Sequence, residues 1–256
     1  MATKKPKKQK TFRDIEEINL EDRAEIGDRG QLYIKIPFKL TEKQNDLIDV
    51  IQNEKTNIVF IEGCAGVGKT FLAVLGSLKL YNLDSTKEQI LYIRSIAESA
   101  DKSIGALPGT LKEKTAPFIA PLLDKLEQLV SPEKIKEMFT SKEIEFAPIN
   151  FLRGADWKDK IVILDEAQGL SLKELETVIT RLGKNSKLII CGDSRQSDIG
   201  HKSGFGKMME HFASCIESAK WGLEFFKFTS DDIVRSPFLK FIIEEIDKMK
   251  LNTFSK

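Results

Sequence analysis

Cysteine is scarce and scattered: the chain has three, Cys64, Cys191 and Cys215, and none forms a CxxC pair. That excludes a disulfide framework or a cysteine-built metal site, and it fits a reducing cytoplasm. Histidine is rarer still, and neither His201 nor His211 stands in a nucleophile or ligand pattern. No run of about 18 apolar residues occurs, so no segment is suited to cross a membrane as a helix. The first ten residues are basic but lack an apolar core and a cleavage site, which excludes a secretion signal. An excess of one charge is missing too: 40 Lys and Arg face 39 Asp and Glu, for a formal net charge of +1. Bulk charge therefore argues neither for nor against a polyanionic partner, and only its distribution can.

That distribution is uneven at one end. Five lysines lie in the first ten residues, and seven carboxylates follow over residues 14–28. Residues 1–29 are expected to be a solvated basic and acidic tail, with an electrostatic tether for nucleic acid as the alternative. At 256 residues the chain could form one large domain or two small ones, and 41% hydrophobic content is enough for a real core; the expectation is a single domain over residues 30–256.

What the chain does have is a short apolar run, Ile58-Val59-Phe60-Ile61, that opens into Glu62-Gly63-Cys64-Ala65-Gly66-Val67-Gly68-Lys69-Thr70. This is the pattern of a phosphate-binding loop. Glycines let successive backbone N–H groups turn inward around phosphate oxygens, Lys69 adds a point charge, and the Thr70 hydroxyl can ligate Mg2+. The apolar helix expected to start here adds its positive dipole end. A glycine-rich turn alone would prove little, but a strand before it and a helix after it supply the confirming context.

A second apolar strand, Lys160-Ile161-Val162-Ile163-Leu164, ends in Asp165-Glu166-Ala167-Gln168. The carboxyl end of a strand is where a parallel sheet presents its chemistry. Asp165 is placed to hold Mg2+ through water and Glu166 to polarise an attacking water. A third strand, residues 187–192, ends in Gly192-Asp193-Ser194-Arg195-Gln196, where Gln196 could contact a γ-phosphate.

Other elements follow from pattern. Residues 31–38 alternate at period two and suggest an edge strand stopped by Pro37. Thr41 can cap a helix over 42–53 that carries Gln44, a side chain able to read adenine or simply exposed. Further strands are expected at 89–94, 144–149 and 223–229, and helices at 69–82, 111–129, 132–139 and 171–182. A last helix starts at Ser236-Pro237, with Arg235 held just before it. Alternating strands and helices predict an α/β fold, a mostly parallel sheet with helices on both faces.

Taken in order, Gln44, the loop 63–70, Leu107-Pro108-Gly109, Phe151-Leu152-Arg153-Gly154, Asp165-Glu166-Ala167-Gln168, residues 192–198 and Asp232-Ile233-Val234-Arg235 resemble the PhoH-like proteins over about residues 31–250. The resemblance implies a RecA-like P-loop NTPase core related to superfamily 1 helicases, binding ATP with Mg2+ and proposed to act on RNA. It implies that the strand ending at Gln196 lies between those ending at the phosphate loop and at Asp165. By the same resemblance Lys69 and Thr70 bind phosphate and metal, Asp165 and Glu166 serve magnesium and water, Gln196 senses the γ-phosphate, and Arg235 sits next to the transferred phosphate. The chain departs from the family pattern at Arg94-Ser95, where the family has Arg-Pro, and at Asp101-Lys102, aligned with a Gly-Glu pair. Both departures fall in the family's nucleic-acid face.

Three functions are compatible with these residues. One is an ATPase coupled to RNA or single-stranded DNA, a homo-oligomer in which Arg235 reaches a neighbour's ATP, a ring being one form. Another is an ATP-driven switch or remodeller of protein complexes. A small-molecule kinase fits less well, because Glu166 suits hydrolysis and no arginine-rich lid is present.

Overall fold

The computed structural model of the chain describes residues 31–95, 111–149, 156–197, 199–234 and 237–254. The expected tail, Leu107-Pro108-Gly109, Phe151-Leu152-Arg153-Gly154 and Arg235 lie outside these residues.

Among the described residues six strands form one parallel sheet: β1 (Ile58–Glu62), β2 (Gln89–Arg94), β3 (Ile144–Pro148), β4 (Lys160–Asp165), β5 (Lys187–Gly192) and β6 (Leu223–Lys227). Their order across the sheet is β3-β2-β4-β5-β1-β6, and every pairing is parallel. The helices are α1 (Glu42–Gln52), α2 (Lys69–Leu83), α3 (Leu111–Leu129), α4 (Pro132–Thr140), α5 (Leu172–Ile179), α6 (Phe205–Ser214), α7 (Glu217–Lys220) and α8 (Pro237–Phe254). The expected α/β architecture is present, and β5 does lie between β4 and β1.

A parallel sheet must be covered on both faces, and the central strands, apolar throughout, divide by alternation. Val59, Ile61, Ile163 and Ile189 pack with Leu47 and Ile51 of α1 and Leu72 and Leu75 of α2. Their neighbours in sequence, Phe60, Val162, Leu164 and Ile190, pack on the other face with Leu175 and Val178 of α5 and Phe205 of α6. Among the described residues no helix is long and apolar enough to cross a membrane.

Residues 31–38 do not join the sheet. The alternation of buried and exposed residues begins correctly at buried Leu32, but its backbone partner is a side chain. Asn82, on α2, accepts from Leu32 N at 3.0 Å and donates to Leu32 O at 2.9 Å. Lys35 N donates to Leu129 O at the end of α3. One amide thus supplies the donor and acceptor that a neighbouring strand would have offered, and the segment runs over helices instead of extending the sheet edge. Helix α5 is also shorter than expected, because residues 180–183 are drawn back to Trp157: Trp157 N donates to Arg181 O and Gly183 N to Trp157 O.

At the end of the sheet opposite the phosphate loop, Lys187 is 3% exposed and its Nζ donates to Ile51 O and Asn53 O, both at 2.6 Å. These carbonyls belong to the C-terminal end of α1, where helix carbonyls lack intrahelical partners. Two acceptors suit the two N–H groups of a neutral amine better than the three of an ammonium. Burial, reinforced by nearby Lys87, pushes the Lys187 amine from 10.5 down to about 8. Because the folded value lies below the unfolded one, the unfolded chain binds more protons between pH 8 and 10.5, and stability rises with pH across that window. Urea unfolding should therefore show wild type gaining on Lys187→Met as pH is raised from 8 towards 10; a gap that stays constant or narrows would contradict it.

Candidate functional site

The loop between β1 and α2 takes its shape from backbone conformations that side chains disfavour. Gly66 and Gly68 have φ of 92° and 89°, in the left-handed region, and Gly68 is the N-cap of α2. The loop is tied to the sheet by Gly63 N donating to Gly192 O at 3.2 Å, and buried Val67 anchors its crown. Lys69 Nζ lies on the loop's own carbonyls, donating to Gly63 O at 2.5 Å and Cys64 O at 3.2 Å.

Thr70, in the first turn of α2, meets Asp165 at the end of β4: its hydroxyl lies 3.1 and 3.2 Å from the two carboxylate oxygens. Asp165 is 2% exposed, yet it is well partnered. Tyr92 on β2 donates its hydroxyl to Asp165 Oδ2 at 2.6 Å, and the Arg94 guanidinium stands 4.0 Å from the same oxygen. Burial, then the Asp165 charge and hydrogen bond, push the Tyr92 phenol well above its ordinary range, so it stays a neutral donor. Hard oxygen donors from two elements, brought together beside a phosphate loop, fit Mg2+, which favours one or two carboxylate or hydroxyl ligands plus phosphate and water.

Glu166 follows at φ 56°, a left-handed backbone that is costly for a residue with a Cβ. Its carboxylate is held from two sides. Arg94 lies 3.6 Å from Oε1, and Gln168 Nε2 donates to Oε2 at 2.6 Å. The other end of the Gln168 amide accepts from Asp193 N at 3.0 Å, so Gln168 joins the end of β4 to the turn after β5. In that turn Gln196 N donates to Asp193 O, and the Gln196 side chain is exposed. The structure thus brings Lys69, Thr70, Asp165 and Glu166 to the carboxyl end of the sheet, with Gln196 on the adjacent strand end.

Gln44 is 2% exposed and serves α1 first. Its Oε1 accepts from Thr41 N at 3.0 Å, completing a capping box, and its Nε2 lies 3.4 Å from Val67 O in the phosphate loop. Cys64 is buried, and burial raises its thiol pKa against the opposing effect of Arg195, so it is a small loop residue and not an activated thiolate. Cys191 is fully buried in β5, and burial raises its thiol even further. Among the described residues no group of three or more His, Cys, Asp and Glu is placed to hold a metal ion.

Three polar positions were not assigned a role by sequence pattern. Tyr92 sits in an apolar run, Arg94 shows only as a strand end and as the start of the departing Arg94-Ser95 pair, and Gln168 only as a member of its motif. Tyr92→Phe leaves the Asp165 carboxylate one donor short in a buried setting, so the protein should lose about 1.5–3 kcal/mol of stability, the range for a hydrogen bond to a charged group. Urea denaturation checks this, and a loss below about 0.5 kcal/mol, the scale of a surface substitution, would mean that the contact is not a structural tie.

Known proteins resemble this chain over most of its length. A PhoH-like protein of Synechocystis is 35% identical over 208 residues, which are 81% of this chain and 61% of that protein. A PhoH-like protein of Bacillus subtilis is 36% identical over 197 residues, 76% of this chain and 60% of the relative. The chain therefore spans about 60% of the length of these curated relatives. Among solved structures, the large terminase of a thermophilic bacteriophage aligns with a TM-score of 0.46 and 14% identity, over 78% of this chain and 48% of the terminase. The model of one family, described as PhoH-like protein, matches residues 38–247, a stretch that takes in the phosphate loop, the Asp165-Glu166 strand end and the β5 turn, and this chain belongs to that family.

Proposed function

We propose that this chain is a Mg2+-dependent ATPase of the cytoplasm that couples hydrolysis to RNA or single-stranded DNA, a helicase-like motor. The observation that carries the reading is the contact of Thr70 with Asp165, 95 residues apart in sequence, beside the phosphate loop and one residue before Glu166. Mg2+ bound there would supply positive charge against the β- and γ-phosphates. Thr70 and Asp165 would hold it. Lys69 would leave the Gly63 and Cys64 carbonyls for phosphate oxygens, while the backbone of residues 63–68 cradles them. Gln44 would brace the loop through Val67. Glu166, fixed between Arg94 and Gln168, would accept the proton of the attacking water, and Gln196 would report the state of the γ-phosphate through the β5 turn.

Arg235 belongs to the same proposal. It immediately precedes the Ser236-Pro237 helix start, and in a homo-oligomer, a ring for example, it would serve the ATP of a neighbouring copy. Mixing Arg235→Ala with Lys69→Ala would then recover hydrolysis that neither shows alone, and no recovery at any ratio would remove the oligomer from the reading.

Nucleic-acid coupling is supported by membership in the family and by the helicase-like motif order in the sequence. The test is steady-state ATP hydrolysis with and without single-stranded RNA and DNA at low and moderate salt. Stimulation that fades as salt rises is the expected result, since phosphate contacts dominate such binding. Hydrolysis indifferent to both polymers would favour an ATP-driven remodeller of protein complexes, which the near-neutral charge also allows.

A further inference from the structure

The cleft beside the phosphate loop, about 560 Å³ in volume, is bounded on one side by loop residues from Cys64 to Thr70 and on another by Phe38, Lys39 and Val234. That volume suits a nucleotide-sized ligand. Phe38 is 43% exposed and Val234 46% exposed, apolar side chains left open along the lining of this cleft. The Phe38 ring is nonetheless held in place. Its centroid lies 4.9 Å from that of buried Phe71, one residue past Thr70 on α2, with the planes inclined at 34°. An aromatic ring backed by a second ring and lining the cleft offers a flat shelf within the same volume as the phosphate loop.

The side chain that would read an adenine edge is elsewhere. Gln44 does not line this cleft, and both ends of its amide are engaged, with Thr41 N and Val67 O. Gln128, which does line it, turns its Nε2 back onto Asp124 O at 2.6 Å. The described lining therefore offers a nucleobase apolar surface and lysine charge, while the donor of its one side-chain amide, on Gln128, is already engaged.

We propose that the base of a bound nucleotide stacks on Phe38 against Val234, and that this chain accepts nucleoside triphosphates of all four bases. This rests on the nucleotide reading of the phosphate loop given above. Stacking tolerates every base because each has a π-face, whereas a site that hydrogen-bonds its ligand rejects analogues strongly.

The experiment is fluorescence titration of the full chain with mant-ADP in the presence of Mg2+, followed by competition with ATP, GTP, CTP, UTP and inorganic tripolyphosphate. Wild type should bind, and the four triphosphates should compete within about tenfold of one another, the scale that stacking differences allow. Phe38→Ala should weaken mant-ADP by about 5- to 150-fold, the equivalent of one lost stack, without altering the affinity of tripolyphosphate measured by calorimetry. Phe38→Trp should restore nucleotide binding. Unchanged binding in Phe38→Ala, or a preference for ATP over the other three beyond about a hundredfold, overturns the proposal while leaving the nucleotide reading intact. Failure of wild type to bind either mant-ADP or tripolyphosphate overturns both.

Discussion

Glu166→Gln should lower ATP hydrolysis by about 10²- to 10⁴-fold, the usual contribution of a positioned general base, while nucleotide affinity stays near that of wild type. The substitution keeps the shape of the side chain and can still accept from Gln168 through its amide oxygen, so the link from β4 to the β5 turn survives. What it removes is the ability to take a proton, together with the ion pair to Arg94. The backbone at this position keeps its φ of 56° with either residue, so no difference in strain enters the comparison. Hydrolysis rates and mant-ADP titrations on the same preparations separate the outcomes. Undiminished turnover would mean that another group activates the water, and loss of binding along with turnover would mean that Glu166 is a positioning residue for the loop.

Trp157→Ala should cost about 3–5 kcal/mol of stability, the range for removing a buried aromatic ring. Trp157 is 1% exposed and packs among the core residues on the α5 and α6 face of the sheet. Its backbone is bonded on both sides to residues 181–183, and its carbonyl also accepts from Ser186 Oγ, so the site is fixed in place and has little freedom to collapse around a cavity. Trp221, at 64% exposed, is the internal control and should change stability by no more than about 0.5 kcal/mol when replaced by Ala. Chemical denaturation followed by circular dichroism measures both. Equal costs at the two positions would contradict the burial of Trp157 in the core.

A residue's role is legible in the sequence when its partner lies close by along the chain. The phosphate loop, its strand and its helix are contiguous, so their residues announced one another; the same holds for β4 and Asp165-Glu166. Thr41 and Gln44 are three residues apart, and their reciprocal cap is a local pattern. Tyr92 was not legible because its partner Asp165 is 73 residues away on the neighbouring strand, and a tyrosine inside an apolar run is ordinarily just core. The alternation over 31–38 was genuine, but nothing local in it says that Asn82 would satisfy Leu32. Helix α6 did leave a signal: Phe205, Met208, Met209 and Phe212 repeat at helical spacing, and all four belong to or border the second core.

The order of the strands has a consequence for how the molecule opens. Among the described residues, β2, β4, β5 and β1 each have a hydrogen-bonded neighbour on both sides, whereas β3 and β6 have one. Amides of the inner strands should be the last to exchange with deuterated solvent, and those of the rim the first, because interior strands are released only by the largest openings. The three strand ends that lead into Lys69, Asp165-Glu166 and Gln196 all hang from that slow-exchanging centre. Fraying at either rim therefore leaves the registration of these groups untouched, and the time over which they stay aligned is set by the lifetime of the whole sheet rather than by that of its margins.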